Sequence, residues 1–123
     1  EPVRLELDDV PVDPSDIFLF HKTTLRRRYE DARARHPDAD DTLLVNTRGE
    51  ITETSVANVA VELDGRWWTP PLDAGLLPGT ERAALLAEGT IEERTVTVGE
   101  ARAAEGLAVF SSSRGWRTAV LLP

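Results

Sequence analysis

Apolar and charged residues alternate over residues 3–7, the two-residue period of a strand covered on one face, and the segment reads as an edge strand. Pro11 and Pro14 mark an extended linker after it, which divides an edge strand and linker at 1–16 from a main domain at 17–123. A short apolar run at 17–20 then delivers Lys22. From residue 24 to residue 35 the period lengthens. Leu25, Tyr29 and Ala32 recur at helical spacing until Pro37 ends the helix, so Lys22 falls just before it. Runs rich in β-formers at 42–46, 51–54 and 59–63 are split by the turn signals Arg48-Gly49 and Asp64-Gly65, and 67–69 completes an expected antiparallel meander. Pro70, Pro71, Gly75, Pro78 and Gly79 predict an irregular loop, followed by a short helix at 81–87 that Gly89 stops. A strand at 91–96, a helix at 98–105 and strands at 107–111 and 116–122 finish the chain. The pattern predicts one compact domain of mixed α and β (α+β) class.

A length of 123 residues, 41% of them hydrophobic, suffices for a real core. The formal net charge of -8 opposes binding to nucleic acid or to an anionic membrane, because both repel an acidic surface. Arg26-Arg27-Arg28 is the one basic cluster and reads as a solvated helix face. Without cysteine there is no disulfide framework and no thiolate chemistry. Two histidines are too few for a zinc cluster, so no metal site is expected. No apolar run reaches the length of a membrane span, residues 1–4 lack the features of a signal peptide, and a cytoplasmic location is the default expectation. The chain opens on Glu1 and holds no methionine, so a preceding segment is expected.

Thirteen of the fourteen basic residues are arginine, and the sole lysine is Lys22, within His21-Lys22-Thr23-Thr24. An arginine cannot shed its proton in a protein, whereas a lysine amine can serve as nucleophile or base. On the count alone, an accidental surface lysine fits as well. Three other segments carry candidate chemistry. At Leu77-Pro78-Gly79-Thr80-Glu81-Arg82 a glycine opens a helix whose unpaired N–H groups favour phosphate, although most such helix starts bind nothing. Ser111-Ser112-Ser113-Arg114-Gly115 is a hydroxyl-rich turn able to donate to phosphate or carboxylate oxygens, or a plain surface loop. Glu53, in Ile51-Thr52-Glu53-Thr54-Ser55, reads in isolation as a solvated strand-edge carboxylate.

Together these segments resemble one family. Lys22 in His-Lys-Thr-Thr, Glu53 in Gly-Glu-Ile-Thr-Glu-Thr-Ser-Val-Ala-Asn, the loop from Thr69-Pro70-Pro71-Leu72 to Leu76-Leu77-Pro78-Gly79, and the Ser-Arg-Gly-Trp turn are similar in order and spacing to the class IV aminotransferases. These are fold-type IV pyridoxal phosphate enzymes. The resemblance covers nearly the whole chain and is greatest to the aminodeoxychorismate lyase branch. It implies the larger domain of a D-amino-acid-aminotransferase-like fold, a pseudo-barrel of mostly antiparallel strands with peripheral helices. It also implies pyridoxal 5'-phosphate as cofactor, a small-molecule amino substrate, a homodimer, and an N-terminal lobe that this chain lacks. Residues 17–123 would then be the C-terminal cofactor-binding domain.

Residue by residue, the resemblance makes Lys22 the lysine that holds the cofactor covalently and moves protons at the substrate carbon. Glu53 becomes the acid paired with the pyridine nitrogen. Gly79, Thr80 and Glu81 align with the phosphate-binding helix start, and Ser112 and Ser113 with a second phosphate or substrate turn. Asn58 matches an asparagine whose role is either cofactor contact or a structural hydrogen bond. Glu81 departs from relatives that carry threonine there. Tyr29 lies seven residues after the lysine, not at the five-residue offset of the tyrosine in branched-chain relatives, where Arg27 stands instead. The implied reaction converts 4-amino-4-deoxychorismate to 4-aminobenzoate and pyruvate. The alternatives are a transaminase for branched-chain or D-amino acids, and a noncatalytic remnant that keeps the fold as an interaction module.

Overall fold

The computed structural model describes residues 1–19 and 21–123, with Phe18 and Leu19 described by backbone alone; the Phe20 end of the predicted apolar run lies outside the described residues. Among the described residues the strands are β1 (Val3–Leu7), β2 (Asp41–Val45), β3 (Ile51–Thr54), β4 (Asn58–Leu63), β5 (Arg66–Thr69), β6 (Glu92–Glu93), β7 (Gly106–Ser111) and β8 (Gly115–Leu121). The helices are α1 (Asp16–Leu19), α2 (Lys22–Ala34), α3 (Thr80–Glu88) and α4 (Val98–Ala103). All strands join one curled sheet in the order β3-β2-β1-β8-β7-β4-β5-β6.

β4 and β7 are apolar on both faces, and the two-residue period sorts their side chains into two layers. Val59 and Val61 of β4 and Leu107 and Val109 of β7 point into the main core with Val3, Leu5, Leu43 and Ile51. Ala60 and Phe110 point the other way, under Leu85 and Leu86 of α3. Their antiparallel register pairs Asn58 with Phe110 and Val61 with Leu107, so one end of the sheet carries Asn58 beside the serine turn. The β4–β5 hairpin turns through Asp64 (φ 55) and Gly65 (φ 76). Two successive positive φ values match the twist of a tight hairpin, which is why Asp-Gly signals one.

β1 corrects an expectation. It lies inside the sheet, parallel to β2 through Leu5↔Asp41 and parallel to β8 through Val3↔Ala119. Its alternation reports a face partly open to solvent, where Arg4 is exposed and Glu6 half-buried, and carries no information about an open edge. The meander is corrected as well: β3 pairs with β2 and β4 with β5 and β7, while the turn at 54–57 separates β3 from β4. The strand expected at 91–96 pairs only at Glu92–Glu93, with β5. Beyond that it crosses to the opposite edge. Ile51 N–H donates to Val96 O at 2.9 Å, and Glu50 and Thr97 form an isolated antiparallel bridge. This crossing closes the sheet into the pseudo-barrel. α4 then starts on a capping box in which Thr97 and Glu100 satisfy each other's backbone N–H groups, and it ends two residues short of expectation.

α2 begins two residues earlier than the periodicity indicates, so Lys22 stands in its first turn. At its far end the helix is tied to β1. Arg35 grips Asp8 through Nε at 2.9 Å and Nη2 at 2.6 Å, while His36 reaches Glu6 at 3.0 Å and Asp8 at 3.1 Å. Burial disfavours charge on His36, but the hydrogen bonds to Glu6 and Asp8 and the charges of Asp8 and Asp9 outweigh it, holding the imidazolium above its usual range. A group whose pKa is raised by folding stabilises the fold fully below its unfolded value, near 6.5, and that contribution disappears as pH rises through the folded value. His36→Gln should therefore flatten the fall in melting temperature above neutral pH. Thermal unfolding from pH 5.5 to pH 8.5, with tested limits flanking the roughly 6.5 reference value, checks it; parallel curves for variant and parent would contradict it.

Candidate active site

The 54–57 turn, the loop before α3 and the end of β7 converge at one end of the barrel, and α2 lies across them. They enclose a cavity of about 620 Å³ lined by Lys22, Tyr29, Glu53, Asn58, Gly79, Thr80 and Ser112 among others. Six of the eight residues expected to serve the cofactor thus meet there. Glu81 and Ser113 do not line it; Ser113 borders a neighbouring cavity of about 450 Å³. Arg26 from the basic run also lines the larger cavity, whereas Arg28 is held by Asp16 at 2.7 Å.

Glu53 is not the solvated strand-edge residue that it resembles in isolation, being only 5% exposed. Tyr29 Oη donates to Oε2 at 2.7 Å, and Leu77 N–H donates to Oε1 at 3.3 Å. No cation pairs with it among the described residues. Burial therefore dominates and pushes the carboxyl up to about 7, with the Tyr29 and Leu77 hydrogen bonds opposing the rise. Desolvation and the adjacent Glu53 charge in turn drive the Tyr29 phenol far above its ordinary range. Tyr29, given no role from the sequence, is the residue that the structure adds to this cavity. Its signal was present: the only tyrosine lies seven residues, two helical turns, after the only lysine, on the same helix face.

Lys22 is exposed toward the cavity and has no hydrogen-bond or ion-pair partner among the described residues. Across from it, α3 starts at Gly79 without a side-chain cap, leaving first-turn N–H groups that suit an anion. Asn58 Nδ2 donates to Leu77 O at 3.1 Å, which supports the structural role considered for it, while the residue also lines the cavity. A Cβ on Gly79 would stand 2.6 Å from Asn58 Oδ1, so a larger residue here would displace the Asn58 side chain that holds Leu77 O. Arg82, 4% exposed, anchors the helix from below through Pro70 O and an ion pair with Glu93.

The site combines an open amine, a buried acid without a cation, and unpaired N–H and hydroxyl donors. That donor set fits pyridoxal phosphate: Lys22 for the aldehyde, Glu53 for the ring nitrogen, and Gly79, Thr80 and Ser112 for phosphate. The chain matches the Amino-transferase class IV family over residues 2–121. It belongs to that family. Class IV aminotransferases are pyridoxal phosphate enzymes, and the relatives of this class IV chain include both lyases and transaminases by name. A Schizosaccharomyces pombe protein provisionally named aminodeoxychorismate lyase is 41% identical over 97 residues, covering 75% of this chain and 42% of its own length. A Mesorhizobium loti structure, provisionally named an amino-acid aminotransferase, is 40% identical with a TM-score of 0.90, covering 99% of this chain and 60% of its own. The 4-amino-4-deoxychorismate lyase structure from Pseudomonas aeruginosa is 25% identical with a TM-score of 0.81, covering 98% and 47% respectively. The chain therefore spans less than two thirds of each of these relatives.

Glu53 yields a test in the ligand-free protein. A carboxyl that folding raises from 4.5 to about 7 stabilises the fold fully below 4.5 and loses that contribution as pH climbs to about 7. The size is roughly 3 kcal/mol at 1.36 kcal/mol per pH unit. Glu53→Gln should be more stable than the parent at pH 8 and lose most of that advantage at pH 4.5, the lower limit being the carboxyl's ordinary value. Denaturant titrations at both pH values measure it. Tyr29→Phe, which deletes a hydrogen bond favouring the carboxylate, should move the Glu53 titration upward in carbon-detected NMR; an unmoved titration would remove Tyr29 from any role in setting it.

Proposed function

We propose that this chain is the cofactor-binding domain of a pyridoxal-phosphate-dependent lyase that converts 4-amino-4-deoxychorismate to 4-aminobenzoate and pyruvate. The observation that carries the reading is Glu53, a buried acid with neutral donors only, in one cavity with the sole lysine. The likeness to the S. pombe protein and the P. aeruginosa lyase supports the branch. The greater length of the relatives supports a covering lobe outside this chain, and a homodimer of the complete protein belongs to the same reading.

Pyridoxal phosphate, when bound, supplies an acceptor for the electrons released as the substrate C–H bond breaks. Glu53 serves that acceptor by keeping its ring nitrogen protonated, which a carboxylate does and an amide cannot. Tyr29 and Leu77 N–H hold the Glu53 oxygens in place. Lys22 has two tasks. It binds the cofactor covalently, and as a free amine it removes the proton from the ring carbon that bears the amino group. The ring C–O bond on the adjacent carbon then breaks, and returning a proton to the methylene carbon of the departing three-carbon unit leaves pyruvate and an aromatic ring, with no net gain or loss of atoms. Gly79 and Thr80 at the helix start, with Ser112, fix the phosphate. A transaminase would use the same residues but would need a 2-oxo acid acceptor.

The natural full-length protein, loaded with pyridoxal phosphate, should release 4-aminobenzoate from 4-amino-4-deoxychorismate and should not transfer the amino group of leucine or D-alanine to 2-oxoglutarate. The opposite pattern would assign it to the transaminases. Lys22→Ala should lower turnover by roughly 10²–10⁴-fold, and borohydride should fix the cofactor on the Lys22 peptide of the parent alone. Turnover near normal in the variant would remove Lys22 from the chemistry.

A further inference from the structure

The cavity of about 450 Å³ beside the proposed cofactor site has a distinctive charge pattern. Its walls include Arg33, Arg114 and Arg117, and it shares Arg33, Phe110 and Ser111 with the larger cavity, so the two are contiguous. In this acidic chain most arginines answer a carboxylate: Arg4, Arg28, Arg35, Arg48, Arg66, Arg82 and Arg94 all sit in ion pairs. Six have none among the described residues, and three of these, Arg33, Arg114 and Arg117, line this one cavity. The acids in the same wall are already engaged. Asp40 accepts from Arg4 N–H at 2.9 Å and Arg4 Nη2 at 3.2 Å, and Asp41 accepts from Thr42 N–H at 2.7 Å and from the Ser55 hydroxyl. Arg117 contributes to the field on Asp40 only after these Arg4 bonds. Three guanidiniums without an ion pair therefore line one cavity, and a guanidinium fork is built for carboxylate.

We propose that Arg33, Arg114 and Arg117 form a carboxylate subsite next to the cofactor cavity, for a substrate whose carboxylate is remote from its reacting amine. The proposal rests on the reading of the larger cavity as a pyridoxal phosphate site and names the substrate class for it. Arg33 lies eleven residues after Lys22 on α2, roughly 16 Å along the helix axis at 1.5 Å per residue. Lys22 lines only the larger cavity and Arg33 lines both, so the subsite is displaced from the amine along α2. An α-amino acid keeps its carboxylate one carbon from its amine and leaves such a subsite empty. A ring acid with the carboxylate across the ring from the amine carries its charge toward the subsite, and 4-amino-4-deoxychorismate is of that kind.

Calorimetric titration of the natural full-length protein, loaded with pyridoxal phosphate, tests this with 4-aminobenzoate, uncharged 4-aminobenzamide and leucine as probes. Replacing all three arginines by glutamine should weaken 4-aminobenzoate roughly tenfold or more, the loss of a charge-assisted contact, and leave 4-aminobenzamide unchanged. Lysine replacements should recover part of the affinity, and salt should weaken the parent more than the glutamine variant. Equal loss for acid and amide, or no loss for either, would overturn the subsite. So would a loss of pyridoxal phosphate affinity in an absorbance titration, since the arginines would then serve the cofactor phosphate. The lyase assay separates the two claims. Arginine-dependent carboxylate binding without 4-aminobenzoate formation sinks the lyase reading and keeps the subsite, whereas lyase activity with an unchanged KM in the variants does the reverse.

Discussion

A carboxyl group removed from water without a cation beside it loses solvation that neutral hydrogen bonds restore only in part, and the fold must hold Glu53 in that condition. Three separate pieces of chain meet to do so. β3 carries the side chain inward, α2 presents the Tyr29 hydroxyl, and the loop before α3 turns the Leu77 N–H toward it. Two of these pieces, the loop and α2, have side-chain anchors. Asn58 holds the Leu77 carbonyl, Arg82 holds α3 to Pro70, and the Arg35 and His36 contacts fasten the far end of α2 to β1. The buried acid makes neutral pH less favourable for the ligand-free fold, and a cation placed beside it would reverse that term. A site that is uncomfortable alone and relieved by a protonated ring nitrogen agrees with the proposed cofactor chemistry.

The anchors depend on the two-faced strands at the centre of the sheet. Since β4 and β7 bury both faces, neither can slip by one residue without driving a core side chain under α3 and an outer one into the barrel. Their register places Asn58 opposite Phe110. Phe110 stacks on Trp116 at 5.8 Å between ring centroids, and Trp116 meets the edge of Trp67 at 4.9 Å, which carries the packing across β8, β7 and β5. The serine turn between β7 and β8 is thereby held at the same end of the barrel as Asn58 and the 54–57 turn. Core packing and site geometry are here the same constraint.

What could be read from the sequence was local. The Asp-Gly hairpin, the glycine stop of α3 and the apolar runs of β4 and β7 each state their structure within a few residues. The failures were non-local. β1 pairs with partners about 36 and 116 positions away, by the registers Leu5↔Asp41 and Val3↔Ala119, and no short-range period can announce them. The crossing that closes the barrel is likewise invisible, because beyond β6 isolated bonds from Val96 O and Val98 N–H, flanking the Glu50–Thr97 bridge, make it. Motif order singles out Lys22, Glu53, Gly79 and Thr80, which the fold brings to one cavity, although the burial of Glu53 is not legible there. Tyr29 is not legible from the five-residue offset after Lys22, whereas about two helical turns bring residue 29 back over residue 22.

Arginine usage adds a further step. An arginine that only covers surface needs no particular partner, yet in this chain guanidiniums tie α2 to β1 through Arg35 and α3 to β6 through Arg82, and Arg94 both meets Glu100 and lies 5.6 Å from the Trp68 ring centre. Planar, permanently charged groups suit such fixed joints, since they cannot lose the charge that makes the joint. In the proposed chemistry the one position where a cation must be able to lose its proton is the open end of α2, and there the chain has Lys22. The same division explains why the arginines without partners are informative. In a protein of net charge -8 a free guanidinium has acids nearby to choose from, so three of them around one cavity mark a place that the fold leaves positive.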